Sequence, residues 1–365
     1  MHLDELHYYL PRERIAQRPL DRRDASRLLA LSRGTGQLED HLFAELPALL
    51  RGDELVVLNN TRVIPARLFG RRAGLHSSPP SRGTRLEHLT GRVEVFLTRQ
   101  IAADRWQALV RPGRKLQKGE RVLFGEGELE AEIIERGELG LRTLRFVAGD
   151  EREVAGHIDR LGHVPLPPYI ERADESTDRE RYQTVFAKHP GAIAAPTAGL
   201  HFTSEVLEQI RRRGAETCEL TLNVGLGTFQ PIHSATLEGH VMHAEFYDIP
   251  EETAERIHRA NSAGRPILAI GTTVVRALED AALRASQAGS AALVLPGKAE
   301  ARLFIFPGFC FRAVNALLTN FHLPRSTLLA LVCAFAGREP VLAGYQHAVE
   351  TGYRFYSYGD CMLIR

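Results

Sequence analysis

The sequence predicts an α/β fold: a large α/β domain with an inserted antiparallel β-barrel domain. Three observations carry this. From about residue 153 onward, strand-like runs, glycine-bearing loops and amphipathic helical patterns alternate, as in a layered α/β domain. Before that, short strand-like pieces follow one another roughly every ten residues with glycine turns between them, the pattern of a small barrel or sandwich. And 365 residues are too many for one ordinary core, so two domains are expected. The expected division is 1–64 plus 153–365 for the α/β domain and 65–152 for the insert.

The first buried-type strand is "ELVVLNN", which runs on into "TRVIPARLFG". Residues 71–91, "RRAGLHSSPPSRGTRLEHLTG", read as a mobile basic loop. "GRVEVFLTR", "RWQALVRPG", "RVLFGEG", "LEAEIIERG" and "LRTLRFV" supply the barrel strands. "TSEVLEQIRRRG" is a helix with Thr203 or Ser204 as N-cap and Gly214 as its stop. "AETCELTLNVGLG" is a strand running into glycines, "PEETAERIHRANSAG" a second helix, "RPILAIGTT" a second strand and "VVRALEDAALRAS" a third helix. Ser326 is placed to cap a buried helix over "TLLALVCAFAG". The closing "YRFYSYGDCMLIR" alternates aromatic residues as a core strand does, with a flat ligand stacked on them as the alternative.

Composition excludes more than it selects. Hydrophobic content of 44% with 25% charged residues is that of a soluble globular protein. The longest apolar run is far short of a membrane span of roughly 20 residues, and the N-terminal "MHLDELHYYLPRER" has no apolar core of a signal segment. A cytoplasmic protein without a membrane partner is expected. Cys218, Cys310, Cys333 and Cys361 lie far apart, against a disulfide framework or a structural zinc site. A net charge of +1 announces no global nucleic-acid field. Of the 46 cations 42 are arginine, which codon bias in a GC-rich genome explains more simply than phosphate recognition does.

Three glycine-bearing loops fall where strands end: "LTLNVGLGTFQP" with Asn223, Gly225, Gly227 and Thr228, "AIGTTVVRALE" with Gly271, Thr272 and Thr273, and "GAIAAPTAGLHFT" with Thr197, Gly199 and His201. Ligands of open α/β sheets bind beyond the carboxyl ends of strands, where exposed N–H groups and Thr hydroxyls suit a carboxylate, phosphate or ribose. Singly each loop reads as an ordinary turn; together they point to a nucleotide-sized ligand. No GxGxxG or Walker loop stands in a suitable context. A fourth loop places Asn320, His322, Pro324 and Arg325 before the Ser326 cap. "HVMHAEF" sets His240, His243 and Glu245 close together, better suited to a general base than to a metal, since no third ligand stands at standard spacing.

The segments "LNNTRVIPARL", "LPPYIERADESTDRERYQTVFA", "AAPTAGLHFT", "NVGLGTFQPI", "HAEFYDIP", "IGTTVVRALE", "LLTNFHLPRSTLLALVCAFAG" and "YRFYSYGDCMLI" occur in the order that they have in the S-adenosylmethionine:tRNA ribosyltransferase-isomerase family of the queuosine pathway, and the chain resembles that family along essentially its whole length. The resemblance implies an α/β domain with an inserted β-barrel, acting as a monomer. It implies transfer and isomerisation of the ribosyl group of S-adenosylmethionine onto the aminomethyl group of 7-aminomethyl-7-deazaguanine at the tRNA wobble position. Epoxyqueuosine-tRNA, adenine and methionine would be the products. S-adenosylmethionine would be a substrate, with no tightly bound cofactor and no metal. On this resemblance His201 and His322 are the first acid–base candidates, with Glu245 and Asp360 next. Gly271, Thr272, Thr273 and Arg276 would hold the methionine or ribose end; Asn223, Gly225, Gly227, Thr228 and Phe229 the nucleoside, with Thr197, Gly199 and Asn320 lining the site. Arg111 and Arg114, with Arg62 and Arg67, are the candidate RNA contacts.

The chain departs from the family pattern at several positions. Asn223 stands where a histidine is usual, and asparagine cannot take a proton. Val274 stands where Ser is common, Tyr356 and Tyr358 replace phenylalanines, "GKAEAR" at 297–302 lacks a common Thr or Asp, and the 71–91 insert is long. Two other functions compete. A small-molecule S-adenosylmethionine transferase would release S-adenosylhomocysteine, but the usual Gly-rich loop after the first strand is missing. A non-catalytic tRNA-binding paralogue would bind with strong salt dependence and consume no S-adenosylmethionine; Asn223 is its motive.

Overall fold

In the computed structural model, which describes residues 1–75, 91–114, 116–137, 140–147, 151–225, 232, 234 and 236–365, Leu55–Asn59 lies near the middle of a nine-stranded sheet. Across it run Gly297–Ala301, Glu245–Ile249, Glu216–Leu222, Leu55–Asn59, Ile267–Ile270, Ala316–Asn320, Cys361–Ile364, Arg27–Leu31 and Leu38–Leu42. The four from Glu216–Leu222 to Ala316–Asn320 are parallel neighbours. Every residue of Leu55–Asn59, Ile267–Ile270 and Ala316–Asn320 is buried, as strands covered on both faces require. Alternate side chains serve opposite layers. Leu55 and Val57 pack with the helices Glu251–Ser262, Thr272–Gln287 and Thr327–Ala336, whereas Val56 and Leu58 pack with Ser204–Arg212. The edge strands "LEDHL" and "GKAEA" carry the charges that discourage further pairing.

The expected caps are in place. The Thr203 side chain accepts from the Val206 N–H at 3.2 Å and that of Ser326 from the Leu329 N–H at 3.1 Å. The helix expected from Val274 begins two residues earlier, at Thr272, because Gly271 with φ 92° turns the chain from strand to helix without an intervening loop. The closing aromatic stretch is core but not strand. Tyr353 and Phe355 are fully buried, yet the last strand starts only at Cys361. Between them the chain doubles back, with the Asp360 carboxylate accepting the N–H groups of Arg27 at 2.8 Å and Arg354 at 2.7 Å.

Contacts divide the chain into two compact units. The sheet unit comprises Met1–Arg62, Pro167–Arg172 and Arg181–Arg365, the other Val63–Leu166 and Ala173–Glu180. The second unit is a closed antiparallel barrel in which Leu141–Val147, Arg105–Arg111, Arg92–Ala102, Arg67–Leu75, Glu120–Phe124 and Leu129–Arg136 follow one another round the wall. Burial alternates along Glu120–Phe124 and Leu129–Arg136: Val122, Phe124, Ala131 and Ile133 are buried, Arg121, Glu130 and Glu132 lie on the other face, and the buried Glu120 pairs with Arg72 at 2.9 Å. The helix Glu151–Leu161 belongs to this unit, where Arg160 pairs with Glu128 at 2.8 Å. The α/β class with a barrel is what the sequence leads one to expect.

Candidate active site

Parallel strands bring their carboxyl ends to one edge of the sheet, and there the chain leaves a cavity of about 430 Å³. Its walls are Val224 after Glu216–Leu222, Gly271 to Thr273 after Ile267–Ile270, and the run from Thr319 to Leu328 at the end of Ala316–Asn320. Ala194 to Ala198, Pro168, Tyr169, Tyr356 and Ser357 complete it. Among the described residues, the non-glycine residues with positive φ are Arg325 at 58° and Tyr356 at 74°, and both line this cavity. Such backbone strain persists only where surrounding bonds hold it. Here the Arg325 N–H donates to the Leu6 carbonyl at 3.0 Å, and the Tyr356 carbonyl accepts from Asn320 Nδ2 at 2.8 Å.

His322 is the histidine of the cavity wall. Nε2 lies 2.8 Å from the Thr319 hydroxyl; the N–H donates to the Tyr345 hydroxyl at 3.1 Å, and the carbonyl accepts from the Tyr8 hydroxyl. Burial drives its pKa down to about 3, so the ring is neutral near pH 7 and a weak base as it stands. His201 is different. It is 4% exposed and does not line the cavity, reaching it through Asn320. Asn320 Nδ2 is committed to Tyr356, so Oδ1 faces His201 Nε2 at 3.3 Å. That assigns the proton to Nε2, leaving Nδ1 to accept from the Ser26 hydroxyl at 2.7 Å. Burial is the main reason its pKa falls to about 4. Phe43 packs over the ring, with centroids 5.2 Å apart. His201 therefore orients Asn320.

The second polar wall is the N-terminus of Thr272–Gln287. Thr272 and Thr273 occupy its first turn, where helix N–H groups point outward and favour an anion. Asn59 Nδ2 donates to the Thr273 hydroxyl at 3.3 Å. One turn further, Arg276 is 4% exposed and paired with Glu245, which is 2% exposed and also accepts the Gly225 N–H at 3.2 Å. Among the described residues, Arg276 Nε and Nη2 find no acceptor. Neither member of the pair lines the cavity.

Other expected site residues have structural duties. Gly199 is buried beneath the cavity's Ala194–Ala198 wall: a Cβ there would lie 2.7 Å from Thr184 Cγ2 and 2.8 Å from Phe186 Cζ. Gly199→Ala should therefore cost about 1–3 kcal/mol of stability through overpacking; an unchanged urea midpoint would show that the turn yields freely. Asp360, raised in pKa by burial, secures the final turn away from the cavity. Gly227, Thr228 and Phe229 lie outside the described residues, as does most of the 71–91 loop. Thr197 does line the cavity. Arg62, Arg111 and Arg114 are exposed, whereas Arg67 is half-buried, 3.3 Å from Glu94 and from the Leu166 carbonyl. Among the described residues no group of three or more His, Cys, Asp or Glu is placed to hold a metal ion.

A family model described as queuosine biosynthesis protein matches residues 3–364. The chain belongs to that family. It is 53% identical, over the full length of both, to the S-adenosylmethionine:tRNA ribosyltransferase-isomerase of Solibacter usitatus, and 48% identical to that of Heliobacterium modesticaldum over 98% of each. A crystal structure of an S-adenosylmethionine tRNA ribosyltransferase from Thermotoga maritima is 35% identical, covers 99% of this chain and 100% of its own, and superposes with a TM-score of 0.52.

For this member of the queuosine biosynthesis family, Asn223 is half-buried outside the cavity wall. Its Oδ1 accepts the Thr61 hydroxyl at 2.7 Å, its N–H donates to Phe246, and Gly191 sits against its side chain. Asparagine there removes no proton-transfer group from the described wall. Thr319, Tyr169 and Ser357 are cavity residues that sequence reasoning assigned no role. All three stand in or beside the motifs that carry the family resemblance, but a buried threonine and a tyrosine after two prolines have no local chemical signature.

Proposed function

We propose that this chain transfers and isomerises the ribosyl moiety of S-adenosylmethionine onto the aminomethyl group of 7-aminomethyl-7-deazaguanine in the tRNA wobble position, yielding epoxyqueuosine-tRNA, adenine and methionine. The observation that carries this reading is full-length similarity to enzymes named for ribosyl transfer and isomerisation. The cavity agrees with it in chemistry. The first turn of Thr272–Gln287, with two Thr hydroxyls and outward N–H groups, suits the methionine carboxylate. The apolar wall from Ala194 to Ala198 with Tyr169 suits the flat face of adenine.

The reaction needs a proton taken from the carbon beside the sulfonium and another delivered to departing adenine. The amine of the RNA base then attacks the ribosyl carbons, and ring closure to the epoxide expels methionine. His322, on the wall with Thr319 holding its ring, is the group placed to accept the proton, and its basicity must rise above the level that burial sets when the substrates fill the site. His201 acts through Asn320, and the Glu245–Arg276 pair braces the helix terminus from behind. Arg111, Arg114 and Arg62 remain candidate RNA contacts on exposure alone.

Purified protein incubated with S-adenosylmethionine and tRNA carrying the 7-aminomethyl-7-deazaguanine base should release adenine and form epoxyqueuosine, read by chromatography and nucleoside mass spectrometry. S-adenosylhomocysteine in place of adenine would make it a methyltransferase. Binding of both partners without any product would leave a binding role only.

A further inference from the structure

We infer that the N-terminal segment 8–23, which runs along the cavity as a strap, receives the phosphodiester backbone of the RNA beside its reacting base; this rests on the function proposed above. The strap touches the cavity wall in the middle and at one end. Tyr8 donates to the His322 carbonyl, and Gln17 Nε2 donates to the Tyr169 carbonyl at 2.9 Å; His322 and Tyr169 both line the cavity. At the far end Arg23 Nη1 reaches the Leu200 carbonyl at 3.2 Å, next to His201. None of its residues lines the cavity itself, but the strap is bonded directly to two of the wall residues, His322 and Tyr169.

The chemistry of the strap suits a polyanion. Residues 8–23 hold Arg12, Arg14, Arg18, Arg22 and Arg23 against Glu13 and Asp21. Three arginines from elsewhere add to them. Arg172 Nε donates to the Gln17 carbonyl and Arg181 Nη1 to that of Asp21, each at 3.0 Å, while Arg354 donates to the Arg18 carbonyl. A carbonyl satisfies a guanidinium N–H without cancelling its charge, so cations accumulate around a short length of backbone, with the Asp360 carboxylate offsetting Arg354 in part. Arg181 Nε and Arg354 Nη1 find no acceptor among the described residues. His201 registers the same field: after burial, Arg23 and Arg354 are the charges that hold its pKa down.

At the strap's surface Arg12 pairs with Glu171 at 3.4 Å, whereas Arg22 is held bidentately by the buried Asp24 at 3.1 and 2.9 Å. An exposed pair such as Arg12–Glu171 is weak and exchanges readily for a phosphate. Tyr9 adds a second feature. Its ring is 78% exposed, one residue from the contact with His322, and an unpaired base can stack on it. Cations for the backbone with an aromatic platform for a base is the combination that single-stranded RNA requires. The occupant is therefore the unpaired loop that displays the wobble base.

The test compares KM for the substrate tRNA with KM for S-adenosylmethionine across a series of KCl concentrations. Arg12→Glu with Arg18→Glu should raise the tRNA KM about tenfold or more and flatten the dependence of log affinity on log salt by about 1–2. Tyr9→Ala should raise it roughly fivefold or more. KM for S-adenosylmethionine and kcat at saturating tRNA should stay within about twofold in this comparison of charge contacts. Arg12→Gln with Arg18→Gln, which keeps the strap's main-chain bonds, should act in the same direction more weakly, and thermal melts check that every variant is folded. Unchanged tRNA KM and salt slope in all of these, with wild type active and Arg111→Glu with Arg114→Glu impaired, would overturn the assignment in favour of the barrel. A wild type that neither binds nor turns over tRNA would instead bring down the functional reading, and the strap with it.

Discussion

Acidification from pH 7 to pH 5 should destabilise the protein steeply, with His201 and His322 as the cause. Both rings are buried neutral, with folded pKa values down to about 4 and about 3 against an ordinary 6.5. Between those values the unfolded chain binds protons that the folded chain does not, so stability rises with pH there. The contribution is fully present above 6.5 and is lost as pH falls towards the folded values. Each ring supplies a slope of about 1.4 kcal/mol per pH unit, or about 2.7 together, once pH is well below 6.5. Asp360 and Glu279 work in the opposite sense, because burial raises both carboxyl pKa values and so favours the protonated folded form. Urea midpoints between pH 7 and pH 5 measure the slope. His322→Gln should remove about half of it. A flat midpoint over that interval would mean that the rings open to water or gain a partner on protonation.

Glu245→Ala should destabilise the sheet unit by about 3–5 kcal/mol. It leaves the Arg276 guanidinium, on a residue 4% exposed and with two N–H groups that lack acceptors among the described residues, without its counter-charge, and it strips the Gly225 N–H of its acceptor. The penalty lies in the orphaned charge, so Glu245→Ala with Arg276→Met should recover part of the loss even though both partners are gone. Urea unfolding of the two variants separates the cases. A loss below about 1 kcal/mol for Glu245→Ala would show that solvent reaches the guanidinium. Greater loss in the double variant than in the single would show that Arg276 contributes through packing of its stem rather than through charge.

Much of the fold is legible because it depends on local rules. Apolar runs such as "LVVLN" and "ILAI" read as strands covered on both faces, and Thr203 and Ser326 cap helices by bonds to residues three positions away. Ordered motifs along the whole chain were enough to indicate the queuosine biosynthesis family. The site was legible as a set of loops, since Gly271 to Thr273 and Asn320 to Arg325 follow strands whose carboxyl ends parallel pairing must bring together.

What each side chain does inside that site is a different matter. "GLHFT" and "NFHLP" present His201 and His322 alike, between apolar neighbours, yet His322 faces the cavity and His201 stands behind Asn320. Gly199 resembled a ligand-binding glycine, and its small size serves Thr184 and Phe186 instead. Glu245 resembled a general base until Arg276, 31 residues away, appeared at its carboxylate. The sequence by itself determined the layers, the caps, the family and the edge of the sheet where the candidate site lies, because periodicity and capping act within a few residues. Only the tertiary structure decided which titratable groups meet the cavity and which are neutralised in the core, because burial and charge pairing depend on neighbours distant in the chain.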